Sequence, residues 1–290
     1  MTPEMRILRT VSELEEFATQ ACNEGKSIGL VPTMGALHAG HMSLMRRAVE
    51  ENDITIASVF VNPVQFDNKT DLATYPRTEE ADCKLLEEAG VCAAFIPSVE
   101  EIYPPQDADK PQHVFDLGEV AEVMEGPRRP GHFQGVALIV SKLMRWSRAG
   151  KAYFGEKDFQ QIAVIRRMIL TENIPVEIVP CPIKREDDGL ALSSRNVRLN
   201  ASQRAIAPGI YKALKESVSF SCEHTPGETS TKVIKEINLL SECEVEYFDI
   251  VDAITMQPVS DWSEAGDHGV QGCITVYCGP VRLIDNIRYR

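Results

Sequence analysis

The run ITIASVFV at residues 54–61 constrains this chain more than any other feature. It is nearly continuous, apolar and β-branched, which suits a strand covered on both faces. Such strands belong to parallel sheets, and parallel strands need crossover helices. The flanking sequence supplies them. A short apolar strand is expected at 27–31, then a turn-rich Pro32-Thr33-Met34-Gly35. A helical pattern follows at 40–51, with Leu44, Met45 and Ala48 on one face. Helices are predicted at 76–89 (Gly90 as its stop signal), 132–146 and 158–171, and strands at 91–96, 152–154 and 176–179. After about Pro182 the pattern changes. A charged turn, KREDDG at 184–189, leads to helical segments at 201–220 and 229–241 and strands at 245–251, 274–278 and 281–284. Grouped helices and strands indicate a smaller α+β unit. The expected organisation is an α/β domain with a parallel sheet at 1–182 and a C-terminal α+β domain at 183–290.

Composition narrows the partners. The 290 residues are 43% hydrophobic and 25% charged, enough for a sizeable core without staples. A net charge of −13 opposes a nucleic-acid backbone, so no nucleic acid is expected, and an anionic ligand needs a local positive pocket. The apolar run 136–140 is far too short for a membrane span. Residues 1–8 carry Glu4 and Arg6 and do not read as a signal peptide. The 8 cysteines show no CxxC spacing, so they are expected as reduced, buried small hydrophobes in a cytoplasmic protein.

Several short segments carry candidate chemistry. VPTMGALHAGH, residues 31–41, follows a strand and opens a helix, the place where open α/β sheets bind ligands. Gly35 and Gly40 permit close backbone approach, and the helix start offers N–H groups. His38 and His41 are spaced to donate hydrogen bonds to one phosphate; the alternative is two histidines that only cap the helix. FVNPVQF, residues 60–66, puts Asn62 and Gln65 at a strand's carboxyl rim. Their amides suit the hydroxyl and carboxylate of a small substrate, or simply form a turn. In FGEKDFQQ, residues 154–161, Gly155 allows a tight approach and Lys157 suits phosphate. Lys157 and Gln161 share a face if the helix has begun by then; a solvated helix start is the other reading. Ser193, Ser194 and Arg195 of LSSRN can clamp a polyphosphate or lie in a solvated loop. Asp82 can reach a Mg²⁺ held mainly by phosphates, or be a surface carboxylate. Gly131 and His132 of RPGHF are expected to shape a turn. No GxxxxGKS loop and no GxSxG or Cys–His nucleophile is present. The combined inventory favours nucleotidyl transfer by positioning and charge stabilisation.

VPTMGALHAGH, FVNPVQF, YPR, EGPRRPGHF, FGEKDFQQ and LSSRN, in this order, closely resemble the pantoate–β-alanine ligase family. The resemblance extends to RLIDN at 282–286. HxGH and LSSR also resemble the signature loops of class I aminoacyl-tRNA synthetase-like nucleotidylyltransferases, which implies a Rossmann-like sheet. The resemblance implies that ATP and pantoate form pantoyl adenylate with Mg²⁺, and that β-alanine then displaces AMP. It places Met34, Gly35, Ala36, Leu37, His38, Ala39, Gly40 and His41 along ATP, with His41 as proton donor. Gly155, Glu156, Lys157 and Asp158 would also bind ATP. Lys184 would touch adenine through its backbone, and Leu192, Ser193, Ser194 and Arg195 would close over the phosphates. Gln65, Gln161 and Asn62 would serve pantoate and β-alanine. The C-terminal domain would act as a lid, and the protein would be a cytoplasmic homodimer. Two departures stand out: LMRWSRAGK at 143–151 lacks the family's Pro-Asp turn, and Arg198 replaces an aromatic residue. Two rivals are an enzyme joining a nucleotide to a phosphorylated precursor and a non-catalytic nucleotide-binding module. The neutral Gln65 and Gln161 favour a hydroxy acid over a second phosphate.

Overall fold

The computed structural model describes residues 4–107, 113–264 and 266–290. The chain separates into two compact units. The first comprises Met1–Gly118, Arg128–Gly155 and Val164–Cys181; the second comprises Glu119–Pro127, Glu156–Ala163 and Pro182–Arg290. Two segments expected in the first domain, 119–127 and 156–163, thus cluster with the second. Among the described residues no helix is long and apolar enough to cross a membrane.

The first unit is built on six strands: β1 (Arg6–Leu8), β2 (Ile28–Thr33), β3 (Ile54–Val59), β4 (Ala93–Phe95), β5 (Lys151–Gly155) and β6 (Glu177–Cys181). All neighbours pair in parallel, in the order β1-β4-β3-β2-β5-β6. This is the α/β sheet expected from the sequence. The apolar run at 54–61 forms β3 near the middle, where Ile56 and Ala57 are fully buried. Helix Ala39–Glu51 places Met42, Met45 and Ala48 in a core with Val31, Ala57 and Leu86. Strand succession turns outward in opposite directions from β2: β3 lies on one side and β5 on the other. That is the switch point of a doubly wound sheet, whose strand ends form a natural crevice.

The second unit carries an antiparallel sheet of β7 (Cys243–Asp252), β8 (Val270–Cys278) and β9 (Val281–Arg288), in that order. Helices Pro208–Phe220 and Pro226–Asn238 pack on it through Leu214, Val233 and Ile237, against Phe248, Ile274 and Val276. This is the expected α+β pattern.

Local differences have local causes. The single helix expected at 201–220 is two, Ala201–Ile206 and Pro208–Phe220, because Pro208 lacks an N–H and prefers the first helical turn. Strand β1 and helix Val11–Asn23 add to the expected elements, and Thr10 and Glu13 form a capping box that marks the helix start. In place of the missing Pro-Asp turn, helix His132–Ser147 ends on Arg148 in the left-handed region at φ 50°. Of the cysteines expected inside, Cys22 and Cys222 are exposed and Cys83 and Cys92 are partly so.

Candidate active site

Three connected features of the first unit gather at the carboxyl ends of β2 and β3. The first is the helix start. His38 is the N-cap of helix Ala39–Glu51, in extended backbone. Its Nδ1 accepts the Gly40 N–H at 3.1 Å, while Nδ1 of His41 accepts the His38 N–H at 3.3 Å. The two imidazoles thus make a reciprocal capping box, a job that Ser and Glu usually do. A neutral ring that accepts at Nδ1 carries its proton on Nε2. Capping and proton donation therefore use different nitrogens, and the two sequence readings of these histidines are compatible. The ring centroids lie 4.1 Å apart.

The second feature is the loop before the helix. Gly35 and Ala36 both have left-handed backbone, at φ 81° and 50°. A buried carboxylate holds this turn. Asp82, 1% exposed, accepts the Leu37 N–H at 2.7 Å on Oδ1 and the Ala36 N–H at 3.0 Å on Oδ2. Thr78 Oγ1 donates to Oδ2 at 3.2 Å. A Cβ on residue 35 would sit 3.0 Å from Asp82 Oδ2 and 3.1 Å from Val59, so both the conformation and the space require glycine. Of the two readings of Asp82, burial removes the surface carboxylate. Each oxygen accepts a loop N–H, Oδ1 keeps one lone pair, and among the described residues no group of three or more His, Cys, Asp or Glu could hold a metal ion.

The third feature is the NPVQ turn. Asn62, expected as a substrate contact, is 1% exposed. Its Nδ2 donates to Gln65 Oε1 at 3.1 Å and to the Gly135 carbonyl at 3.0 Å, while its Oδ1 accepts from Tyr103 Oη at 2.7 Å. Burial pushes the Tyr103 hydroxyl well above its ordinary pKa, so it remains a donor. Asn62 braces Gln65 through these bonds, with both Nδ2 donors used and one lone pair of Oδ1 still open. Gln65 Nε2 meets the thioether of Met34 at 3.2 Å, a weak acceptor. His132 Nδ1 donates to the Gln65 carbonyl at 2.8 Å, which leaves its Nε2 to accept from Arg129 at 3.1 Å. From the sequence His132 reads only as a turn residue and Tyr103 carries no motif. Neither has a local sequence signal, because their partners lie tens of residues away.

The second unit presents the remaining predicted residues. Glu156–Asp158 is a 3-10 turn, and the α-helix begins only at Phe159. Lys157 and Gln161 therefore do not share the continuous helical face anticipated from their spacing. Lys157 Nζ lies 3.2 Å from the Asp158 carboxylate, and Gln161 is half-buried. Residues 184–192 form a small hairpin. Arg185 and Ala191 bridge, and the Leu192 N–H donates to the Lys184 carbonyl at 2.9 Å. Lys184 is exposed, and Ser193, Ser194 and Arg195 are half-buried. Arg195 N–H donates to Ser193 Oγ at 3.3 Å, and Asn196 Nδ2 to the Ala191 carbonyl at 3.0 Å. LSSR is thus a stapled turn.

A doubly wound parallel sheet, with a glycine-bearing loop and helix start at its switch point, defines a nucleotide-binding α/β enzyme. Comparison with known proteins makes this specific. The model of the family Pantoate-beta-alanine ligase matches residues 6–288. A pantothenate synthetase of Porphyromonas gingivalis is 59% identical, with 98% of this chain and 99% of that protein covered. One of Bacteroides thetaiotaomicron is 52% identical, with 99% of each covered. Among solved structures, the Thermus thermophilus pantothenate synthetase superposes with a TM-score of 0.90 at 41% identity, covering 98% of this chain and 99% of that one. The Francisella tularensis pantoate-beta-alanine ligase, complexed with beta-gamma ATP and beta-alanine, has a TM-score of 0.79 at 33% identity, covering 98% of each. The chain belongs to the pantoate–β-alanine ligase family, and it is a ligase of pantothenate biosynthesis.

Proposed function

We propose that this chain condenses pantoate with β-alanine in two steps, through pantoyl adenylate. In the first, a pantoate carboxylate oxygen attacks the α-phosphorus of ATP and pyrophosphate leaves. In the second, the β-alanine amine attacks the pantoyl carbonyl, AMP leaves, and the amine loses a proton. A carboxylate is a poor acyl donor toward an amine, and adenylation supplies the leaving group. The observation that carries this reading is the reciprocal His38–His41 cap, which puts an N–H on Nε2 of both rings. Such donors stabilise charge growing on a phosphate in the transition state, and His41 is assigned as proton donor. Pantoate and β-alanine are assigned to Gln65, Gln161 and the adjoining Asn62, with Gln65 near both substrates. The Met34 sulfur is a weak partner that a substrate oxygen readily replaces. Met34–His41, Gly155–Asp158, Lys184 and 192–195 are assigned to ATP, with Lys157 and Ser193–Arg195 acting on its phosphates. The Francisella tularensis relative, complexed with beta-gamma ATP and beta-alanine, supports the choice of ligands.

Mg²⁺ would neutralise charge on the leaving pyrophosphate. Asp82 could supply at most one ligand, through the Oδ1 lone pair that its loop bond leaves, and no other residue of this chain is assigned to the ion. The ion is proposed to arrive with the nucleotide, held by phosphates and water. A homodimer and a cytoplasmic location remain family expectations, the first open to sedimentation analysis.

The decisive assay is pyrophosphate release from ATP. Pantoate and Mg²⁺ without β-alanine should support release of one equivalent, and β-alanine should make it catalytic. Release that needs β-alanine from the outset would contradict a free-standing adenylate step. No release with pantoate would point instead to a different acceptor.

A further inference from the structure

RLIDN, residues 282–286, belongs to the resemblance but carries none of the proposed chemistry. In the structure it is the middle of β9, and it reaches the turn that carries Lys157. Asn286 is buried at 4% exposure, and its Nδ2 donates to two successive carbonyls, Glu156 at 2.8 Å and Lys157 at 3.0 Å. Its own orientation is set from two sides. Gln271 Nε2 donates to Asn286 Oδ1 at 2.6 Å, and the Asn286 N–H donates to Asp285 Oδ1 at 2.7 Å. Asp285 in turn grips Arg185 through both carboxylate oxygens, at 2.6 and 2.8 Å, at the root of the 184–192 hairpin. The Arg185 guanidinium stacks 3.6 Å over Tyr211. The amide of Asn286 is therefore placed by a satisfied, buried network, and such networks hold geometry tightly.

We propose that Asn286 is a positioning residue for Lys157. By bonding the carbonyls of residues 156 and 157, it fixes the 3-10 turn and so the direction from which the ammonium meets the triphosphate. A flexible Lys side chain is a point charge without directional geometry of its own, so its backbone must supply the aim. This inference rests on the proposed role of Lys157 at the ATP phosphates. Asn286 itself touches no substrate under it.

The test is a double-mutant cycle on the adenylation half-reaction, read as kcat/KM for ATP in pyrophosphate release. Asn286→Ala should lower kcat/KM roughly tenfold or more in the wild-type background. In a Lys157→Ala background the same change should have little further effect, because no ammonium remains to be aimed. The KM for pantoate should move much less than that for ATP. Should Asn286→Ala not fold, Asn286→Thr serves in the same cycle, since Thr suits a strand and keeps one donor. A loss by the same factor in both backgrounds would show a general structural role and overturn the proposal. An unimpaired Asn286→Ala enzyme alongside an impaired Lys157→Ala enzyme would overturn it alone. A Lys157→Ala enzyme with unchanged kcat/KM for ATP would remove the reading of Lys157 and this proposal with it.

Discussion

At the scale of single residues, the chemistry depends on which nitrogen or oxygen faces which partner. HxGH reads equally well as a helix cap or as a phosphate contact. The structure shows why the choice is false: Nδ1 of each ring caps the helix, and this fixes the proton on Nε2. His41→Ala should therefore lower adenylate formation by about 2–4 kcal/mol of transition-state stabilisation, while ATP affinity changes far less. Single-turnover pyrophosphate release and equilibrium ATP titration measure the two quantities, and an equal loss in both would make His41 a binding residue. Asn62 and Asp82 teach the converse. Asn62 lies at a strand end and Asp82 in the first turn of helix Glu79–Glu88, yet each is 1% exposed and bonded chiefly to the chain. Composition at a strand end marks a site, but burial decides which members face the substrate.

At the scale of elements, the helices and strands of the parallel sheet were largely legible, because a 3.6-residue or continuous apolar pattern survives in the sequence. The join between elements was not. The turn holding Gln65 lies against helix His132–Ser147 so closely that a Cβ on Gly135 would sit 2.7 Å from the Val64 carbonyl oxygen and 2.8 Å from Gln65 backbone. Backbone cannot give way as a side chain can. Gly135→Ala should cost roughly 1–3 kcal/mol in stability and raise the KM for pantoate more than that for ATP. Thermal melts and steady-state kinetics check this; an unchanged pantoate KM would show that the turn tolerates displacement. A second element-level effect lies at the end of helix Ala39–Glu51. Arg47, Tyr153 and Lys151 hydrogen-bond Glu51 and hold its carboxyl down to about 2, below the usual 4.5. A depressed carboxylate pKa stabilises the fold above about pH 4.5, and that contribution fades as pH falls toward about 2. Glu51→Gln should lower stability near neutral pH by less than about 1 kcal/mol, since the pair is well solvated. The gap in melting temperature should narrow on acidification; a gap that widens would reverse the assignment.

At the scale of the whole molecule, two units with separate cores share the residues proposed for one reaction. The acidic chain must gather positive charge locally for a triphosphate, and Lys157, Lys184 and Arg195 are the candidates in the second unit. Residues 184–196 are expected to tighten around bound ATP. Trypsin cleavage after the exposed Lys184 should slow markedly with ATP plus pantoate, and less with either alone. Protection that is identical with and without ligands would rule out ligand-dependent ordering of this segment.

Read as a linear string, the chain already specifies the alternation of strands and helices, the change of architecture near residue 182, and the strand-end location of HxGH, NPVQ and GEKD. These are consequences of periodicity and of short-range backbone preference, which act over a few residues. It took the folded arrangement to settle that Asp82 binds loop amides, that Asn62 supports Gln65, that Tyr103 and His132 join them, and that Asn286 grips the Lys157 turn. Each of these contacts except Asn62–Gln65 joins residues 40 or more positions apart. A hydrogen bond depends on separations of tenths of an ångström set by packing, and linear spacing carries no record of them.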